Sequence, residues 1–414
     1  MKEQILSNLD QAGELEKIYR KNKSEFKSNF NFLYPEIKGK GLADFWNARL
    51  NYESDAVSWG SFREWRFLLL AALFAWILAK LPSFLDINEE YFYPRNMGFV
   101  VFPFVSAYFA WKKNLSLTSL VIPIITVLVA ALYINLLPDN PESDTLILAC
   151  IHLPLLLWGM LGFVFSGAKG KNLPSRLAYI NFNGDAVIMG AVLLLSGLLL
   201  SGITVGLFGL IGIDIEKFYF EYIGVFGLAA APLVATHLTQ TNPQLVNKVP
   251  PIIAKIFSPL VLIMLLIYLG AIVYAGKDPY NDREFLLLFN LLLIGVMGLI
   301  FFSVAESAEE KASNLAKWVL TLLSFATIIV NLVALSAIGF RISEWGITPN
   351  RLAVLGVNML MLIHLVLVNQ KLMLSLRKEH SLKEVSLVVV RYLPVYLIWT
   401  VLVVFLFPVV FGFE

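Results

Sequence analysis

Few residues inside the long apolar stretches of this chain can move a proton or hold an ion. Asp185, His237, Glu306, Gln370 and Arg391 stand at or near the ends of five stretches, while His152, Asn290, Asn331, Asn358 and His364 lie deeper in theirs. An ionisable side chain in a membrane-spanning run is energetically expensive and marks a candidate site. If those runs share an end, Asp185, His237, Glu306 and Arg391 would line a vestibule for a polar or ionised solute. The competing reading is that polar residues merely stop the helices at the headgroup level. The deeper set also admits two uses. A lone intramembrane Asn or His makes an interhelical hydrogen bond worth about 0.6–2 kcal/mol, or it belongs to a proton or solute pathway.

Soluble-enzyme chemistry has no comparable foothold. The phosphate-binding loop GxxxxGK[ST], the nucleophile elbow GxSxG, the zinc motif HExxH and a Rossmann glycine set are all missing from the sequence. No two of the histidines (His152, His237, His364, His380) stand three or four residues apart, so a paired helical metal site has no support. Cys150 is the single cysteine, which excludes an intramolecular disulfide and a CxxC site. No catalytic, cofactor or metal residue is therefore assigned, and an intramembrane enzyme ranks behind the other readings.

The elements that must position these residues follow from composition. The chain is 58% hydrophobic and 15% charged, with mean hydropathy +0.73. Soluble domains carry about 25% charged residues, so the deviation points to lipid as solvent. A hydrocarbon core of about 30 Å needs roughly 20 apolar residues per helix. Eleven runs qualify: 66–82, 97–112, 117–137, 145–166, 186–211, 218–238, 252–275, 284–304, 315–339, 350–373 and 386–411. Backbone polar groups in hydrocarbon must be satisfied within the segment, so these are helices. The expected fold is all-α: a polytopic bundle of about eleven transmembrane helices over residues 61–414, preceded by a helical segment over 1–60. That segment lacks the apolar core and cleavage site of a signal peptide.

Orientation follows the distribution of Lys and Arg. The N-terminal segment carries eleven, the connections expected on its side fourteen, and the opposite connections seven (Lys80, Arg95, Lys217, Lys277, Arg283, Arg341, Arg351). The loop LPDNPESD at 137–144 holds none. The expected placement is a bacterial inner membrane, with the N-terminus cytoplasmic and, for an odd number of crossings, Glu414 outside.

Residues 1–60 show helical stripes (Ile5, Leu6, Leu9; Leu15, Ile18, Tyr19; Phe26, Phe30, Leu33; Leu42 to Leu50), and NKSE at 22–25 has the form of a capping box. Basic residues interleaved with aromatics invite a nucleic-acid reading, but nine acids nearly balance the eleven bases, so nucleic acid is rejected as a partner. The segment is expected to pack as a helical cap, or to dock a protein partner or anionic headgroups. In the run 186–211, Gly197 with Ser201 and Gly202 with Gly206 keep the small-x-x-x-small spacing that lets helix backbones approach closely.

The turn RISEWGITPNR at 341–351 breaks the apolarity with three charges, a Gly and a Pro. Thr348 as N-cap and Pro349 at the first helical position read as a helix start. Arg351 then falls on the positive end of the helix dipole, and Glu344 is the expected partner of Arg351 or Arg341. This turn, R-I-x-E-[aromatic]-G-[aliphatic]-T-x-x-R, resembles one found in a bacterial membrane family catalogued as domain of unknown function 4153. The stretches 181–227 and 258–280 share its texture, and the resemblance covers about residues 60–411. At 185 this chain has Asp where the pattern has Glu. The resemblance implies a polytopic membrane protein and supplies no mechanism. Two function classes remain: a permease or flippase with a polar path reaching Asn331 or His364, and a non-transporting scaffold or sensor that binds a protein partner.

Overall fold

The computed structural model describes residues 2–21, 23–51, 59–168, 172–210, 213–243, 257–267, 269–270, 283–306, 313–377 and 382–414, except for some side chains, those at 283–288, 306 and 377 among them. Among the described residues every regular element is a helix. Contacts divide the chain into one unit over Met1–Ser58 and another over Trp59–Glu414.

The first unit holds α1 (Lys2–Ser7), α2 (Ala12–Lys21), α3 (Lys23–Ile37) and α4 (Ala43–Asn51). Ile5, Leu15, Phe26, Phe30, Leu33 and Trp46 close its own core, so each stripe read from the sequence contributes to one centre. Arg20 and Arg49 both reach Glu16 (2.8 and 2.9 Å), which ties α2 to α4. The capping box rests on Asn22, outside the described residues.

The second unit begins with α5 (Phe62–Leu85), α6 (Glu89–Lys112), α7 (Leu117–Leu136), α8 (Asp144–Phe165) and α9 (Leu173–Leu210). It continues with α10 (Glu216–Thr241), α11 (Phe257–Ile267), α12 (Arg283–Glu306), α13 (Asn314–Trp345), α14 (Pro349–Arg377) and α15 (Lys383–Val410). Eight described helices are long and apolar enough to cross a membrane: α5, α7, α8, α9, α10, α13, α14 and α15. The chain is thus a multi-pass helical membrane protein by length and composition. The α6 helix runs 24 residues but carries charges at both ends. The apolar parts of α11 and α12 are shorter.

Serines cap many of these helices. Ser61, Ser116, Ser143 and Ser313 each accept from a backbone N–H in the first turn of α5, α7, α8 and α13. Within α10 and α15 the ladder widens to a π turn, at Tyr219–Gly224 and Leu402–Leu406. The second precedes Pro408, whose ring nitrogen cannot donate back along the helix.

The helices place several charges differently from the sequence reading. Lys80 and Arg95 do not lie in outer connections. Both are inside helices and buried, at 3% and 2% exposure. Lys80 reaches Glu221 in the π turn of α10 (3.0 Å). Arg95 donates to the carbonyls of Ile134 and Leu137 at the end of α7 and reaches Asp139 at 3.2 Å. A cation in an apolar bundle needs acceptors, and the carbonyls left free at the C-terminus of α7 supply them.

Asp185 is not at the start of its helix, because α9 begins twelve residues earlier at Leu173. The two halves of α9 differ. Its first half is anchored: Tyr179 and Phe182 are buried, Trp158 donates to Asn183, and Gly184 lies so close to the Phe302 ring that a methyl group there would collide. Its second half exposes Leu195, Leu198 and Leu199, and of the pair Gly197 and Ser201 only Ser201 meets another helix, its hydroxyl donating to Tyr219 Oη on α10 at 3.3 Å. Among the described residues no atom beyond the helix's own adjacent backbone lies within 4 Å of a Cβ placed on Gly197 or Gly202.

Candidate functional site

A stripe of buried polar residues runs along α13. Lys317, Thr321, Ser324, Thr327 and Asn331 are all 9% exposed or less and follow helical spacing on one face. At 1.5 Å per residue the stripe is about 21 Å long. Its register with α14 is fixed by three hydrogen bonds: Lys317 Nζ to the Ser375 carbonyl (3.5 Å), Asn369 Nδ2 to the Thr321 carbonyl (2.9 Å), and Asn331 Nδ2 to the Asn358 carbonyl (3.1 Å). As one residue number rises the other falls in step, as in an antiparallel pair. Asn358 Nδ2 then donates to Asn290 Oδ1 on α12 (2.8 Å). All three deeper asparagines read from the sequence, Asn290, Asn331 and Asn358, therefore belong to one network.

His364 sits on another face of α14, fully buried. Its ring stacks on Tyr392 and lies against Phe301, both with centroids 4.4 Å away, and Nδ1 pairs with Tyr396 Oη at 3.1 Å. Three atoms of this region lack a hydrogen bond of normal geometry: Ser324 Oγ, Asn331 Oδ1 and His364 Nε2. A buried polar group left unpaired costs about 1–3 kcal/mol, so Ser324 Oγ and Asn331 Oδ1 each call for a water or solute partner, while His364 has the Val388 backbone beside it. Around them Leu323, Ala326, Val330, Leu365 and Val368 form an apolar wall.

His237 belongs to a second cluster, built where the chain enters α5. Its Nε2 faces the Trp59 carbonyl at 3.2 Å and Nδ1 faces Tyr108 Oη at 3.1 Å. A carbonyl only accepts, so Nε2 donates to it, and Nδ1 pairs with the Tyr108 hydroxyl. Tyr108 Oη in turn accepts from Lys112 Nζ (3.1 Å), which lies 3.5 Å from Glu64. Gly60, at φ +77°, allows this: a Cβ there would stand 2.7 Å from His237 Cε1. Every polar atom of the imidazole is satisfied, and His237 serves as a clasp.

The proposed vestibule is not assembled by any described bond. Asp185 Oδ1 is buried without a partner, His237 is committed to Tyr108 and Trp59, Arg391 and Gln370 are exposed, and the Glu306 side chain lies outside the described residues. His152 is turned back on its own helix, with Nδ1 against the Leu148 carbonyl (2.8 Å).

The turn at 341–351 is capped as read, with Thr348 Oγ1 accepting from the Arg351 N–H (3.3 Å). Arg351 is not held by Glu344. Its Nη1 donates to the Trp345 and Gly346 carbonyls, both at 2.8 Å, and the Arg341 and Arg351 guanidinia both lie 5.7 Å from the Trp345 ring centroid. The C-terminus of α13 thus neutralises a cation that the N-terminus of α14 disfavours. Gly346, at φ +79°, makes the reversal.

The positions of Asn331, Asn358 and His364 within apolar runs mark them in the sequence, whereas Lys317, Thr321, Ser324 and Thr327 are not marked in that way. Their helical spacing was the available signal. No family model matches the chain, and no curated protein or solved structure does either.

Proposed function

We propose that this protein is a permease-type transporter of the bacterial inner membrane, and that its polar path follows the α13–α14 interface. One observation carries the reading: Ser324, Asn331 and His364 each present a polar atom without a hydrogen bond of normal geometry on the paired helices α13 and α14, while the other such atoms of the second unit, on Asn181, Asp185, Thr239 and Trp399, lie on α9, α10 and α15. In this reading α6, α11 and α12 also cross the bilayer, giving eleven crossings. Glu414 supports the odd count, since its carbonyl accepts from Thr145 N–H (2.9 Å), beside the loop 137–144 that lacks Lys and Arg. The N-terminus would face the cytoplasm and residue 414 the outside. The resemblance to the family catalogued as domain of unknown function 4153, carried by the turn at 341–351 and the stretches 181–227 and 258–280, accords with this reading.

A solute path must be reachable from both sides in turn. In a Cys150→Ala background, Asn331→Cys should react with a small membrane-impermeant thiol reagent in intact cells and also in inverted vesicles. Absence of reaction from both sides, with Asn140→Cys labelled normally, would contradict a path. A second reading, docking of a protein partner, draws on the first unit, where Phe32 and Phe45 are 65% and 60% exposed. Pull-down by that unit that fails with Phe32→Ser/Phe45→Ser would favour it.

A further inference from the structure

A groove of about 440 Å³ opens between α6, α7 and α8. Its wall is almost wholly apolar, with Phe102, Ala107, Trp111, Leu120, Ile124 and Leu157 among the lining residues. Local sequence explains the recess. Ser106, Ala107 and Ala110 on α6 face Pro123 on α7, so little side-chain volume fills the gap. The α7 helix buries only Pro123, Ala130 and Ile134. The volume falls in the range of ligand sites, about 300–1,000 Å³.

Two cations stand beside one end of this groove. The Arg63 guanidinium lies 5.6 Å from the centroid of Trp111, a lining residue. Lys113 follows the end of α6. Its ammonium is 4.3 Å from the Phe165 ring centroid and donates to the Phe165 carbonyl, next to the lining residue Val164. Among the described residues no carboxylate pairs with either. The neighbouring Lys112 differs, since Glu64 neutralises it. An apolar slot with uncompensated positive charge at its mouth matches one ligand shape, a hydrocarbon chain joined to an anionic head.

We infer that this groove binds an anionic phospholipid, with an acyl chain between α6, α7 and α8 and the phosphate at Arg63 and Lys113. The inference requires the chain to be embedded in a membrane and is independent of transport. Basic pockets between membrane helices recognise anionic headgroups in this way. Because Arg63 is exposed, its loss leaves the bundle intact.

The test uses the purified full chain in neutral detergent, read by native mass spectrometry. Phosphatidylglycerol and phosphatidylcholine with identical acyl chains are compared at equal concentration, beside inorganic phosphate alone. Phosphatidylglycerol should bind about tenfold more tightly than phosphatidylcholine. Arg63→Gln with Lys113→Gln should remove that preference and leave phosphatidylcholine binding unchanged. Ala107→Phe, which plugs the slot, should weaken both lipids. Equal binding of the two lipids, or a preference that survives the double substitution, would overturn the inference. Retention of inorganic phosphate as strong as that of phosphatidylglycerol would also overturn it, reassigning the cations to free phosphate.

Discussion

At the scale of single residues, the same side-chain types serve opposite purposes. His237 and His364 are both fully buried, yet only His237 has both ring nitrogens matched. The sequence shows each His inside an apolar run and cannot show which neighbour lies opposite. Tyr108, the partner of His237, is 129 positions away in an aromatic stretch where nothing distinguishes it. Tyr108→Phe should leave His237 Nδ1 without a partner and lower stability by about 1–3 kcal/mol, measured as a drop in thermal midpoint in detergent. Gly60→Ala should cost at least as much, since it adds left-handed backbone strain of about 1–2 kcal/mol to the clash with the imidazole. An unchanged midpoint in both would show that His237 is not a clasp. Arg351 teaches a related lesson. Its need for a partner was legible from the helix dipole, but the carbonyls that satisfy it appear only once α13 is known to end at Trp345.

At the scale of elements, helices were legible from apolar length, and their ends were not. The run beginning at 97 is the apolar part of a helix beginning at Glu89, and the run beginning at 186 continues one from Leu173. In both cases polar residues are absorbed by tertiary partners rather than ending the helix. Asn183 takes the Trp158 indole and Arg95 takes the end of α7. Glycine roles separate in the same way. Gly356 on α14 lies against the Trp399 indole of α15, where a methyl group would collide, whereas Gly197 on α9 meets nothing. Gly356→Ala should destabilise by about 1–3 kcal/mol through overpacking. Gly197→Ala should be neutral or stabilise by up to about 1 kcal/mol through helix propensity. Thermal midpoints of the two variants compare them directly, and a destabilising Gly197→Ala would mean that the stripe on α9 has a partner.

At the scale of the whole molecule, a multi-pass helical protein was evident from composition, while the polar stripe between α13 and α14 was not. Lys317, Thr321, Ser324 and Thr327 are individually unremarkable in a membrane helix, and only their common face makes a stripe. The orientation makes its own prediction: a periplasm-dependent reporter fused after Glu414 should be active, and activity only for a cytoplasm-dependent reporter would reverse the topology. A polar path along α13 requires that the interior face of this helix be wetted. Its most direct measurement is a single-cysteine scan of residues 317–332 in a Cys150→Ala background, recording reaction with an impermeant thiol reagent. A wetted face gives reaction at 321, 324, 327 and 331, with Leu322, Phe325, Ile329 and Leu332, exposed on the outer face of the bundle, protected by lipid. Reaction confined to positions near Lys317, with Ser324→Cys and Asn331→Cys silent, would contradict it and leave the stripe as a dry seam between two helices.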